Sequence, residues 1–214
     1  MGTLDFYDAD PEGYFDRTFG SDMSPARERF TKHLSSGARI LDLGSGSCRD
    51  TEAFIAKGFD AVPVDGSAGM RLVAKERLGI EVLPMDFADI PFVDEFDGVW
   101  ASASLLHVPS KELPGILRLV HRALREGGAF YCSFKYGDFE GLRDGRMYTD
   151  MTGERLERLL ISAGFSPIDV WRDRSSGGTE WVHAVSIRQR YHRRWTSAVH
   201  EDGWESCDSR HRRG

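Results

Sequence analysis

Arg39-Ile40-Leu41-Asp42-Leu43-Gly44-Ser45-Gly46-Ser47-Cys48-Arg49-Asp50-Thr51 is the stretch around which the rest of the chain is organised. Its first five residues alternate in the manner of a short buried strand. Two glycines then open a loop of small residues, and residues 50–57 resume with helical periodicity before Gly58. Strand, glycine loop and helix in this order turn backbone N–H groups and a helix N-terminus toward a ligand. Glycine is needed because the loop must turn tightly and admit the ligand to the backbone. The stretch therefore predicts a cofactor site.

The nicotinamide fingerprint requires a third glycine at the sixth position of the loop, which here is Arg49. A large cation at that point obstructs a pyrophosphate but suits a single carboxylate. A second strand, residues 59–64, runs into Asp65, where an acidic side chain accepts hydrogen bonds from ribose hydroxyls. A ligand with one carboxylate, a ribose and no phosphate fits S-adenosylmethionine better than a dinucleotide. On these residues the stretch resembles motif I of the class I S-adenosylmethionine-dependent methyltransferases of the small bacterial type. The similarity runs from about Tyr7 to about Ile187.

At 214 residues the chain has the size of one domain. Its 40% hydrophobic and 29% charged residues belong to a globular chain rather than a disordered or membrane-embedded one. No apolar run approaches the roughly 18 residues that span a bilayer, so no membrane partner is expected. Met1-Gly2-Thr3-Leu4-Asp5 lacks the basic and apolar regions of a signal peptide. Cys48, Cys132 and Cys207 are widely spaced and odd in number, which argues against a disulfide framework and for a reducing, cytoplasmic setting. The net charge of −6 is uneven, because residues 188–214 hold seven arginines against Glu201, Asp202, Glu205 and Asp208. The acidic remainder disfavours a nucleic-acid substrate, whose phosphates need clustered Lys and Arg.

Residues 6–20 predict a short aromatic helix after Asp10, with Pro11 in its first turn. Ser24 and Pro25 start a second helix that stops before Gly37. After Asp65, Ser67 caps a helix that closes at Gly79, and residues 80–84 form a third strand. Residues 94–109 supply the fourth and its exit, residues 110–124 a helix kinked or restarted near Pro114, and Gly127-Gly128 turns the chain into a fifth strand, residues 129–134. Residues 135–150 read as a charged, glycine-rich loop, and Thr152 caps a helix ended by Gly164. Two last strands, residues 167–172 and 180–187, are joined by a short turn and must pair antiparallel or lie close together. The alternation predicts an α/β fold, doubly wound, with a mostly parallel sheet and helices on both faces. It resembles the seven-stranded methyltransferase sheet with its reversed last strand. Residues 1–187 would form that domain, residues about 6–35 its helical lid, and residues 188–214 a basic extension. That extension reads either as a solvated tail or as an RNA-binding segment.

The resemblance implies the following roles. Gly44 and Gly46 let the backbone approach the methionine part of the cofactor, and Asp42 sits near its sulfonium or amino group. Arg49 pairs with its carboxylate, the alternative being a surface ion pair. Asp65 followed by Gly66 takes the ribose, Asp86 the adenine amino group, and the Phe87 backbone a ring nitrogen. Met70 and Met85 either pack on the ring or belong to the core. Tyr14 and Thr18 reach the amino-acid end if the N-terminal helix is a lid, and merely patch the core if it is not. Ser102 lies where the methyl group points, and no Asn/Asp-Pro-Pro-Tyr sequence of amino-methylating nucleic-acid enzymes is present there. His107 is a candidate general base or a brace. Tyr148, with Lys135, Tyr136, Trp171 and Trp181, is a candidate for the acceptor side.

The expected function is methyl transfer from S-adenosylmethionine to a small-molecule acceptor by in-line displacement, with no metal. The sulfonium is already activated, so the protein's task is alignment and exclusion of water. The rival readings are a non-catalytic cofactor sensor and a nicotinamide-dependent oxidoreductase, the latter disfavoured by Arg49.

Overall fold

The structure, a computed structural model, describes residues 2–189. Nearly all of the basic extension, and with it the choice between solvated tail and RNA-binding segment, lies outside the described residues. In chain order the elements are α1 (Thr3–Ala9), α2 (Pro11–Thr18), α3 (Ser24–Thr31), β1 (Arg39–Leu43), α4 (Arg49–Ala56), β2 (Asp60–Asp65), α5 (Ala68–Leu78) and β3 (Leu83–Pro84). They continue with β4 (Phe96–Ala101), α6 (Leu113–Ala123), β5 (Leu124–Lys135), β6 (Glu140–Arg143), β7 (Arg146–Thr149), α7 (Gly153–Ser162), β8 (Phe165–Arg174) and β9 (Glu180–Arg188).

Seven strands form one sheet in the order β3-β2-β1-β4-β5-β9-β8. The first five pair in parallel, whereas β9 is antiparallel to both β5 and β8, so the last strand is the reversed one. The side chains of each strand divide between two cores with period 2. Leu41, Leu43, Val99, Ala101, Phe130 and Cys132 pack with α6 and α7 on one face. Ile40, Trp100, Tyr131 and Val185 pack on the other, against Ala26 and Phe30 of α3 and Phe54 of α4. Burial on both faces is why these strands read as near-continuous apolar runs. Because β1 connects first to β2 on one side and its neighbour β4 lies on the other, the strand order reverses at β1. Such a reversal opens a crevice at the carboxyl ends, where ligands of open α/β sheets bind.

The structure departs from the sequence expectations most clearly at four elements, besides small shifts such as α6 starting at Leu113 and α3 having Met23 rather than Ser24 as its N-cap. The third strand is only two residues long, since Ile80 and Val82 turn inward to pack with α5 rather than extend the ladder. The fifth begins at Leu124, and the register skips between Phe96 and Gly98, so Gly127 and Gly128 form a bulge within the strand rather than a turn before it. The aromatic N-terminal segment is two helices hinged at Asp10, whose side chain caps α2 by accepting from the Gly13 N–H. The loop at residues 135–150 holds a two-stranded hairpin, β6–β7.

Candidate active site

A cavity of about 990 Å³ lies over the carboxyl ends of the parallel strands. Tyr14, Thr18, Asp42, Gly44, Gly46, Arg49, Asp65, Gly66, Met70, Asp86, Phe87, Ser102 and His107 all line it. The α1–α2 segment forms one wall and is fastened at several points. Asp8 Oδ1 accepts from the Ser67 hydroxyl at 2.6 Å and from the Gly69 N–H at 2.8 Å, at the start of α5. Arg77 of α5 pairs with Glu12 and Asp16 of α2. At its other edge the Thr3 hydroxyl accepts from the Met147 N–H in the β6–β7 hairpin.

The glycine loop is shaped by contacts that a side chain would prevent. Gly44 has φ +77°, and a Cβ there would lie 2.6 Å from Ser104 Cβ and 3.2 Å from the Phe87 ring. Asp65 stands under this loop, with Oδ2 accepting from the Gly46 N–H and Oδ1 from the Ser67 N–H, both at 2.8 Å. A carboxylate accepts about four hydrogen bonds, so lone pairs remain for two hydroxyls. Burial pushes Asp65 above the ordinary carboxylate range, opposed by those two N–H donors. Asp42 is more deeply buried, 2% exposed, and accepts from the Thr51 hydroxyl at 2.5 Å. Burial and then the nearby Asp50 charge raise its pKa to about 7. Met70 is buried at 1% exposure and Met85 half-buried, and both line the cavity. Cys48 is buried, not reactive, and burial pushes its thiol up to about 12. It holds φ +56°, a left-handed conformation that costs a non-glycine residue about 1–2 kcal/mol.

Arg49 is not a solvated surface arginine. Its Nε and Nη2 donate to Asp50 at 3.2 and 2.6 Å, and Nη1 reaches the Thr18 carbonyl at 3.4 Å. Asp50 also accepts from Arg27 Nη1 at 2.5 Å and from the Trp100 indole N–H at 3.0 Å. Burial works against ionising this carboxyl, but Arg49 and Arg27 outweigh it and hold its pKa below the ordinary range. Two guanidinium groups on one carboxylate leave one positive charge uncompensated, and of the pair only Arg49 lines the cavity. The Thr18 hydroxyl, meanwhile, is committed to the Tyr14 carbonyl at 2.8 Å.

His107 has both ring nitrogens engaged. Nδ1 lies 2.7 Å from the Met147 carbonyl, which only accepts, so Nδ1 carries the hydrogen. Nε2 must then accept from the Tyr7 hydroxyl, also at 2.7 Å. Burial lowers the His107 pKa to about 4, so the ring is neutral at physiological pH. With no vacant acceptor, this histidine braces the α1 wall. Tyr148, a candidate for the acceptor side, lies behind His107. It is 4% exposed, packed edge-on against the His107 ring at 4.9 Å, and absent from the cavity wall. Lys135, Tyr136 and Trp171 are likewise absent from the wall, whereas Trp181 belongs to it.

Sequence reasoning passed over Tyr7, Asp8 and Arg27 as site residues, along with Asp173 and His183 on the cavity's far wall. Tyr7 and Tyr14 meet edge-on at 4.9 Å although a helix break separates them, so no periodicity relates them. For the hairpin there was a signal, the Asp144-Gly145 pair between short alternating runs.

Residues 40–128 match the family model described as a methyltransferase domain. A demethylmenaquinone methyltransferase from Clavibacter sepedonicus is 30% identical over 179 residues, covering 77% of this chain and 71% of that protein. Among solved structures, a Burkholderia thailandensis 1,6-didemethyltoxoflavin-N1-methyltransferase with S-adenosylhomocysteine bound superposes with a TM-score of 0.72 at 24% identity, over 87% of this chain and 85% of that one. A Haemonchus contortus phosphoethanolamine N-methyltransferase in complex with S-adenosylmethionine gives 0.68 at 17% identity, over 89% and 60% of the two chains. The chain belongs to the class I S-adenosylmethionine-dependent methyltransferases.

Proposed function

We propose that this methyltransferase acts on a small acceptor that is neutral or cationic, and that α1–α2 is the lid of its site. The cofactor's adenine would lie at Asp86 and Phe87, its ribose on Asp65, and its carboxylate on the outward edge of Arg49. Asp86 lines the cavity without a partner among the described residues, and Asp65 keeps free lone pairs, so the donor and acceptor sets fit. When bound, the cofactor supplies an activated methyl group. The chain's own contribution is to hold the acceptor in line beside Ser102 and to exclude water.

The cavity itself carries this reading. Its volume of about 990 Å³ stands at the upper end of small-ligand sites, enough for the cofactor and one modest acceptor. Carboxylates outnumber arginines on its walls, and two of the three arginines, Arg17 and Arg174, are already paired with Asp10 and Glu180. A phosphate or carboxylate acceptor would find little to pair with, which also speaks against nucleic acid. A cytoplasmic setting suits the free thiols Cys48 and Cys132. No helix among the described residues is long and apolar enough to cross a membrane.

The test is transfer of tritiated methyl from S-adenosylmethionine to a demethylmenaquinol and to 1,6-didemethyltoxoflavin, with phosphoethanolamine and a transfer RNA beside them. Methylation of either uncharged ring compound is expected. Preferential labelling of phosphoethanolamine or RNA would overturn the reading.

A further inference from the structure

The cofactor residues account for only one end of the cavity. Past Ser102 and Ser133 the wall continues along β9 and β8 through His183, Trp181 and Asp173. The register brings these together: Ser133 faces His183 across β5–β9, His183 faces Trp171 across β9–β8, and Trp181 faces Asp173.

His183 is held on three sides. Its ring is 4% exposed and stacked on Trp171, with centroids 4.9 Å apart and planes at 7°. Nε2 lies 3.1 Å from Asp173 Oδ1, and because a carboxylate only accepts, Nε2 carries the hydrogen. Nδ1 therefore accepts from the Tyr131 hydroxyl at 2.8 Å. Tyr131 is itself fully buried and stacked on Trp100 at 3.8 Å. A buried tyrosine and a buried histidine thus fix a carboxylate whose side chain is 53% exposed and whose second oxygen has no partner among the described residues. The adjacent Arg174 is committed to Glu180, so the carboxylate's charge is not neutralised by a neighbouring guanidinium.

We propose that this arm is the acceptor subsite. It takes a planar ring that lies against Trp181 and donates a ring N–H or O–H to Asp173, with His183 and Tyr131 as positioning residues. The proposal rests on the methyl-transfer reading of the cavity. An aromatic wall beside one anchored carboxylate favours a flat, donor-bearing molecule that is neutral or cationic, because stacking supplies contact area and the single hydrogen bond sets the angle of the ring.

The experiment is calorimetric titration of the full chain loaded with S-adenosylhomocysteine, using 1,6-didemethyltoxoflavin as an N–H probe and 1,4-naphthohydroquinone, under argon, as an O–H probe. At least one probe is expected to bind. Asp173→Ala should weaken it about tenfold or more, and Tyr131→Phe by a smaller factor, since it loosens the carboxylate without removing it. Trp181→Ala should weaken every probe that binds the parent chain. In all three variants S-adenosylhomocysteine affinity should stay within about twofold of the parent. Probe affinity indifferent to Asp173, or failure of both probes to bind the loaded chain, overturns the proposal. A parallel loss of S-adenosylhomocysteine in Asp173→Ala overturns it too, because the arm would then serve the cofactor. If the parent chain does not bind S-adenosylhomocysteine at all, the underlying reading of the cavity fails instead, and the first titration reveals this.

Discussion

At the β1–β2 end of the cavity the carboxylates Asp65 and Asp42 are held by near neighbours in the chain, whereas at the α1 and β5–β9–β8 end several polar contacts join residues far apart in it. Asp65 binds the N–H groups of residues 19 positions before it and 2 after it, and Asp42 binds Thr51 only 9 positions on. By contrast Tyr7 meets His107 across 100 positions, Tyr131 meets His183 across 52, and Thr3 meets Met147 across 144. The first end is local, a loop whose shape follows from its glycines. The second is assembled only when the whole chain has folded. The contrast suits a site whose one ligand is common to a family while the other is particular to each member.

If that contrast is sound, changes at the first end should act on the cofactor and spare the acceptor arm, in a definite order of size. Gly44→Ala should be the most severe. It forces a side chain into positive φ and against Ser104, so a loss of about 2–4 kcal/mol in stability and more than hundredfold in S-adenosylhomocysteine affinity is expected, by denaturant melts and calorimetry. Asp65→Ala should follow, at about ten- to hundredfold in affinity, because two ribose hydroxyls lose their acceptor and the Gly46 N–H loses its anchor. An unchanged affinity would remove the ribose assignment.

Arg49→Ala sharpens the comparison further. It should weaken S-adenosylhomocysteine about tenfold yet leave 5′-methylthioadenosine, which has no carboxylate, nearly unaffected. Equal losses for both ligands would mean that Arg49 matters only through its pairing with Asp50.

The smallest effect expected is a pH dependence through Asp42. With this carboxyl titrating near 7 rather than near the ordinary 3.8, folding favours its protonated form, so the unliganded protein loses stability as pH rises across that window. A bound cation favours the ionised form. S-adenosylmethionine affinity should therefore tighten about five- to tenfold between pH 5.5 and 7, and a flat profile would separate Asp42 from the cationic part of the ligand.

What could be read from the chain divides along the same line. The strand from Arg39 to Leu43 and the glycine loop after it were legible because a short apolar run ending at closely spaced glycines constrains neighbouring residues. The antiparallel pairing of β8 and β9 is one of the two arrangements that the short connection after Arg174 allows, and the reversal of β9 against β5 is the one the family resemblance implies. The hairpin was read as a loop because its strands are four residues long and carry Gly141, Arg143 and Arg146. Arg49 was expected to face a ligand, but its Asp50 and Arg27 partners required α3 to be packed in place. Tyr148 is a candidate for the acceptor side in the sequence, and its place behind His107 follows only from the packing of the folded chain.

The tryptophans of the sheet give the molecule an intrinsic optical reporter. Trp100 is completely enclosed and linked to Asp50, so nothing that occupies the acceptor arm touches its ring. Trp181 stands on the wall of that arm, and a flat chromophore stacked on it would quench its fluorescence directly. The difference spectrum between the parent chain and Trp181→Phe would then follow acceptor loading in real time, with no label and no turnover.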